Sequence, residues 1–154
     1  MKELYETNEE QEVPKEDVID FVKDNKEYYR EKFTQMKNNN MPISWNWGAF
    51  LFSGFWFLYR KMYLPAAIIL LTDTLMTNMT GSRLTTWIIS LLCGIFANYQ
   101  YLDYCENRVS KINKLDCEEK QKRLSKQGGV SMISVIIGFI LIYMVALAYA
   151  YCTK

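Results

Sequence analysis

The 154-residue chain sets eighteen Lys and Arg against seventeen Asp and Glu, a formal charge of +1, and contains no histidine. Near-neutrality removes the electrostatic footprint of a nucleic-acid binder. The lack of histidine removes the commonest general base and metal ligand, and with it every Ser-His or Cys-His pair.

The mean hydropathy of −0.12 averages two different materials. Charges crowd into residues 1–37 and 103–126, and the remainder is almost uncharged. A soluble domain of this size alternates polar and apolar residues on every element, so this segregation points to a lipid bilayer.

Residues 1–13 are rich in glutamate and poor in apolar side chains, and are expected to form a disordered acidic tail. Over 14–40, Val18, Phe21, Val22, Tyr28, Tyr29, Phe33 and Met36 recur at three- and four-residue intervals. That spacing predicts one cytoplasmic amphipathic helix, ended by Asn38, Asn39, Asn40 and Pro42.

Trp45 to Tyr59 follows, uncharged for fifteen residues and holding three of the four tryptophans. As a helix it covers only about 22 Å, too short to cross a bilayer comfortably. Its only clearly polar side chains are Asn46 and Ser53, so it is no surface-lying amphipathic helix either. A re-entrant or half-inserted segment is expected over 45–59, bending at Gly54 beside Ser53.

Three longer apolar runs predict three transmembrane helices, at 62–79, 84–102 and 130–151. At helical rise they measure roughly 27 to 33 Å, against a hydrocarbon core of about 30 Å. "TGSR" at 80–83 reads as a tight turn, and "QGG" at 127–129 as a helix break. Leu102, Cys105, Val109 and Ile112 carry a helical spacing into the polar segment 103–128, which is expected to be a cytoplasmic helical loop.

Charge counting orients these elements. If 45–59 crossed fully, the chain's eighteen Lys and Arg would divide evenly between the two sides of the membrane. If it enters and returns, sixteen lie on one side and two, Arg83 and Lys154, on the other. The positive-inside rule selects the second topology, with a cytoplasmic N-terminus and an external C-terminus in a multi-pass membrane protein. The fold class is therefore an all-α integral membrane protein with three transmembrane helices.

Two groups of residues are candidate sites. Trp45, Trp47, Trp56, Tyr59, Arg60, Lys61 and Tyr63 combine amphipathic rings with cations, as suits the headgroup layer, and are expected to anchor the chain at the lipid interface. Asp73 is the one acid inside a predicted span, about 14 Å along from Leu64 at helical rise, near mid-membrane. Asn98 offers it a polar partner on the next span. The four cysteines, Cys93, Cys105, Cys117 and Cys152, form no C-x-x-C pair, so neither a metal site nor a cofactor is expected.

Four stretches carry a resemblance: "FVKDNKEYYREKFTQM", "ISWNWGAFLFSGFWFLYRKMY", "ANYQYLDYC" with "VSKI", and "LSKQGGVS". Over about residues 18–135 the chain resembles the small bacterial membrane proteins grouped as domain of unknown function family 2628. The family's motifs fall on Asn25, Tyr28 and Tyr29; on Trp45 to Phe50 and Trp56 to Tyr63; on Ala97, Asn98 and Tyr101; and on Gly128 to Ser131. Gln100 departs from the pattern, at a place close to where many members carry a base. The resemblance implies embedding in a bacterial cytoplasmic membrane and brings no activity or ligand with it.

The expected function is that of a non-enzymatic accessory or scaffold protein in the bilayer, presenting its cytoplasmic helices to a protein partner. The alternative is an ion or solute pathway centred on Asp73 in a homo-oligomer. A lipid-modifying enzyme ranks below both, because no His and no paired carboxylates are present for acid–base work.

Overall fold

A computed structural model describes residues 15–152, and every regular element among them is a helix. The acidic tail expected at 1–13 lies outside the described residues. The organising element is α6 (Leu84–Ile112), whose 29 residues run without a break from the second expected span into the polar segment behind it. Helices α1 (Glu16–Val22), α2 (Lys26–Asn38), α3 (Trp47–Phe52), α5 (Tyr63–Thr80) and α7 (Cys117–Gln127) all pack on it. The remaining two, α4 (Gly54–Tyr59) and α8 (Met132–Cys152), pack on each other, and α4 also packs on α5.

The helix expected over 14–40 is two helices. Lys23 and Asn25 both have left-handed backbone angles, at φ 59° and 61°, and the chain turns between them. Asparagine tolerates that conformation, and tertiary contacts hold the turn. The Phe21 carbonyl accepts from the Gly129 N–H at 2.8 Å, and the Lys23 ammonium donates to the Ser125 carbonyl at 2.5 Å. A Cβ on Gly128 would stand 2.4 Å from the Phe21 oxygen, so only glycine lets the α7–α8 connection approach α1 this closely. Across the break, Arg30 grips Glu16 through both guanidinium nitrogens, at 2.6 and 3.1 Å.

The apolar faces of α1 and α2 rest on the C-terminal half of α6. Val18, Ile19, Phe21, Val22, Tyr29, Phe33 and Met36 form one core with Tyr101, Leu102, Cys105, Val109 and Ile112. Charged residues flank it, including an ion pair between Lys37 and Glu106 at 2.8 Å. At the opposite end, α5 and α6 form a hairpin through Gly81 at φ 63°, within the turn expected at 80–83.

The aromatic stretch is also broken, at Ser53, whose φ of 46° and ψ of −125° separate α3 from α4. The left-handed residue is thus Ser53 itself. Its neighbour Gly54 serves contact instead, because a Cβ there would lie 2.6 Å from the Leu70 side chain of α5. Helix α8 is fastened to this hairpin by Phe139, stacked on Phe55 with ring centroids 4.1 Å apart.

Helices therefore form over the three long apolar runs, as α5, the first part of α6, and α8. No single helix among the described residues is long and apolar enough to cross a membrane. One pair, Cys117–Gln127 with Met132–Val145, passes that requirement together and is bent by 50°.

Candidate functional site

The most unusual side chain is Arg60, at the end of α4. Guanidinium groups are rarely fully buried without a carboxylate, yet Arg60 is 3% exposed and makes no ion pair among the described residues. Phenol rings surround it instead. Its guanidinium carbon lies 4.6 Å from the Tyr29 ring centre, 5.0 Å from Tyr101 and 5.7 Å from Tyr59. It donates to the Tyr29 hydroxyl at 3.1 Å and, at the 3.5 Å limit, to that of Tyr101. The Nε–H is buried with no acceptor among the described residues.

Three elements supply the rings: α2 gives Tyr29, α4 ends on Tyr59, and α6 gives Tyr101. Tyr29 and Tyr101 meet edge to face at 5.1 Å, and Trp56 closes the cluster against Tyr101 at 5.9 Å. Burial pushes the Tyr29 hydroxyl up to about 12 even against the pull of the Arg60 charge. The phenol stays protonated at neutral pH, so the cage stabilises the cation through π faces and lone pairs and does not neutralise it.

Beside the cage lies a buried amide pair. Asn46 caps α3 by accepting from the Ala49 N–H at 2.9 Å, and its amide donates to the Asn98 carbonyl oxygen at 2.7 Å. The Asn98 amide in turn reaches the Ser44 hydroxyl, the Tyr28 hydroxyl and the Trp45 carbonyl, at 3.1 to 3.3 Å. The backbone N–H groups of Ser44 and Asn46 donate to the Ile95 and Gly94 carbonyls of α6. This bonding fixes the entry of the aromatic hairpin against the middle of α6.

The seven expected interface anchors divide into several environments. Trp47 and Tyr63 are exposed. Trp45 is half-buried and rests on Gly94, its indole N–H enclosed without an acceptor among the described residues. Trp56 and Arg60 do not reach outward at all: both are buried, because α2 and α6 close over the end of α4. Tyr59 is half-buried beside Arg60. Lys61, in a left-handed turn at φ 60°, donates to the Lys126 and Gly128 carbonyls and so caps the end of α7.

Asp73 and Asn98 do not form one polar site. The hydrogen-bond partners of Asn98 are Asn46, Ser44, Tyr28 and Trp45. Asp73 sits on α5, with Oδ1 buried and unpartnered among the described residues. Thr77, a potential donor to it, pairs instead with Thr86 at 3.4 Å. Cys105 is buried under the cage, and burial pushes its thiol well up, which makes it inert. No group of three His, Cys, Asp or Glu side chains among the described residues is placed to hold a metal ion.

The sequence reading missed Tyr29, Tyr101 and Asn46 as functional candidates. A signal for Asn46 was present: one amide inside an uncharged run must find a buried partner. Tyr29 and Tyr101 follow helical spacing like any core residue, and nothing local announces the cation they enclose.

A family model described as protein of unknown function (DUF2628) matches residues 8–106. The match takes in the cage and the amide pair, and it stops before the Gly128–Gly129 turn. No curated protein and no solved structure matches the chain.

Proposed function

The chain belongs to the DUF2628 family of proteins of unknown function, and we propose that it is a membrane-embedded accessory protein holding a helical platform at the cytoplasmic face. The reading rests on the exposed apolar side chains. On α5, Leu64, Ile68, Leu71 and Leu75 are each more than half exposed. Leu84, Trp87 and Ile88 continue this surface on α6, and Ile133, Ile136, Ile137, Ile140 and Leu141 on α8. Scattered exposed hydrophobes are ordinary, but long apolar faces on three helices call for apolar surroundings.

Helices α5 and α8 have 18 and 21 residues, which is roughly 27 and 31 Å of helix. In this reading they and the first part of α6 cross the bilayer packed together, although none of them passes as a span alone, while α3 and α4 enter and turn back at Ser53. Arg60, Lys61 and the charged helices α1, α2 and α7 then share the cytoplasmic side, as the distribution of Lys and Arg favours. Helix α7 buries none of its residues and offers its charged surface to a protein partner.

Cysteine accessibility tests the topology. Cys117 is exposed at the start of α7, whereas Cys93 and Cys105 are buried. In a Cys152→Ser background, an impermeant maleimide should label Cys117 only after the membrane is opened. Labelling in intact cells, or release of the chain by an alkaline wash, overturns the arrangement. A photoreactive residue in place of Lys122 tests the scaffold role, which fails if no specific protein is captured.

A second reading, an ion or solute pathway in an oligomer, is favoured by the buried, unpartnered Oδ1 of Asp73. Reconstituted vesicles in which Asp73→Asn leaves flux unchanged remove it.

A further inference from the structure

A cavity of about 570 Å³ opens against the tyrosine cage. Its lining includes Asn25, Tyr28, Tyr29 and Arg60 among polar residues, and Phe52, Phe55 and Phe139 among apolar ones. Its size is that of a small-molecule site rather than a packing defect. We infer that this cavity takes a membrane amphiphile with an anionic oxygen head, a phosphate or a carboxylate, placing the head at Arg60 and the acyl chain along Phe55 and Phe139.

Three observations converge on that chemistry. First, Arg60 lines the cavity as a buried cation with no counter-ion among the described residues. An anionic oxygen at its guanidinium supplies that counter-charge, and the resulting charge-assisted hydrogen bond is about twice as strong as a neutral one. Second, the tyrosines hold the guanidinium in place before any ligand arrives, which lowers the ordering cost of binding. Third, the rest of the wall is aromatic and aliphatic, with Val135 and Met132 contributed by α8, so a free inorganic anion would leave most of it uncovered. The choice of a lipid as the source of this amphiphile rests on the bilayer reading above; the cavity's own chemistry does not.

The test uses the purified full chain in mild detergent micelles, because Trp47 and Trp56 line the cavity and report on it. Dibrominated phosphatidate, dibromostearate and dibrominated diacylglycerol, which has no anionic oxygen, are added as quenchers of tryptophan fluorescence. Saturable quenching at least tenfold tighter for phosphatidate or dibromostearate than for diacylglycerol is expected, and the tighter of the two names the head group. Arg60→Gln should abolish that preference, and Arg60→Lys should keep part of it. Equal quenching by all three lipids, an unchanged preference in Arg60→Gln, or displacement by millimolar inorganic phosphate overturns the inference.

If Arg60→Gln loses its helical circular dichroism, Val135→Phe decides the matter. It narrows the apolar lining and leaves the cage intact, so binding should weaken at least tenfold; unchanged binding overturns the inference. Because the assay runs in micelles, a chain released by alkaline wash that still prefers phosphatidate would sink the bilayer reading alone.

Discussion

The two halves of α6 are one continuous helix in two different surroundings. In its C-terminal half, Ala97, Asn98, Tyr101, Leu102, Cys105, Val109 and Ile112 are buried at helical spacing, while Asp103, Asn107, Arg108 and Lys111 face outward. In its N-terminal turns the apolar Leu84, Trp87, Ile88, Leu91 and Leu92 are the exposed residues. The difference lies in what covers each half. Helices α1 and α2 lie over the polar half and give its apolar stripe a core, whereas the apolar half leaves a long face uncovered among the described residues. Apolar sequence makes a core only where the chain itself returns to cover it.

The largest expected effect separates the halves directly. Phe33→Ala removes a fully buried ring packed against Tyr29 and Tyr101, and should cost about 3 to 5 kcal/mol in detergent unfolding followed by circular dichroism. Ile88→Ala, on the exposed half, should stay within about 0.5 kcal/mol. Similar losses for the two would break the comparison.

Asn98→Ala probes the boundary between the halves. It strands the buried amide of Asn46, so a loss of about 2 kcal/mol is expected in the same assay. Gly128→Ala acts on the cover alone, because its Cβ would collide with the Phe21 carbonyl. A cost of about 1 to 2 kcal/mol should appear as faster hydrogen exchange in α1, with the N-terminal turns of α6 unaffected. Uniform acceleration along α6 would mean that the two halves unfold as one unit.

The smallest effect is a pH dependence confined to the polar end. Hydrogen bonds from Lys120 and Asn113, at 3.2 and 3.1 Å, hold the Asp17 carboxyl below its ordinary value of 3.8. A carboxyl lowered by folding adds stability above its unfolded pKa, and that contribution disappears as pH falls through the lowered folded value. Asp17 is well exposed, so solvent screening limits the gain to about 0.5 kcal/mol or less. Asp17→Asn should flatten that part of the acid limb between pH 5 and 2, read as the unfolding midpoint; an unchanged limb would assign it to other carboxylates.

Local pattern carried the helices well and their contacts poorly. The apolar runs at 62–79 and 130–151 are helical within two residues of those bounds, the run at 84–102 opens the longer α6, and the turn expected at 80–83 falls where α5 gives way to α6. The helix expected over 14–40 is interrupted at Lys23–Asn25, although its apolar spacing passes through the interruption with little disturbance. What breaks it is Gly129, more than a hundred positions away, bonding to the Phe21 carbonyl. Arg60 looks on paper like a headgroup anchor beside Lys61, but the rings that bury it come from Tyr29 and Tyr101, on other helices.

By itself, then, the sequence determined the helical class, the positions of the long helices and the separation of charged from apolar surface. All three depend on residues three or four apart, or on composition along a run. Only the tertiary structure decided that α1 and α2 cover one half of α6, that Asn46 pairs with Asn98, and that Arg60 is enclosed without a counter-ion among the described residues. Those contacts join residues 31 or more positions apart, and the free energy of such a pairing belongs to neither partner's local pattern.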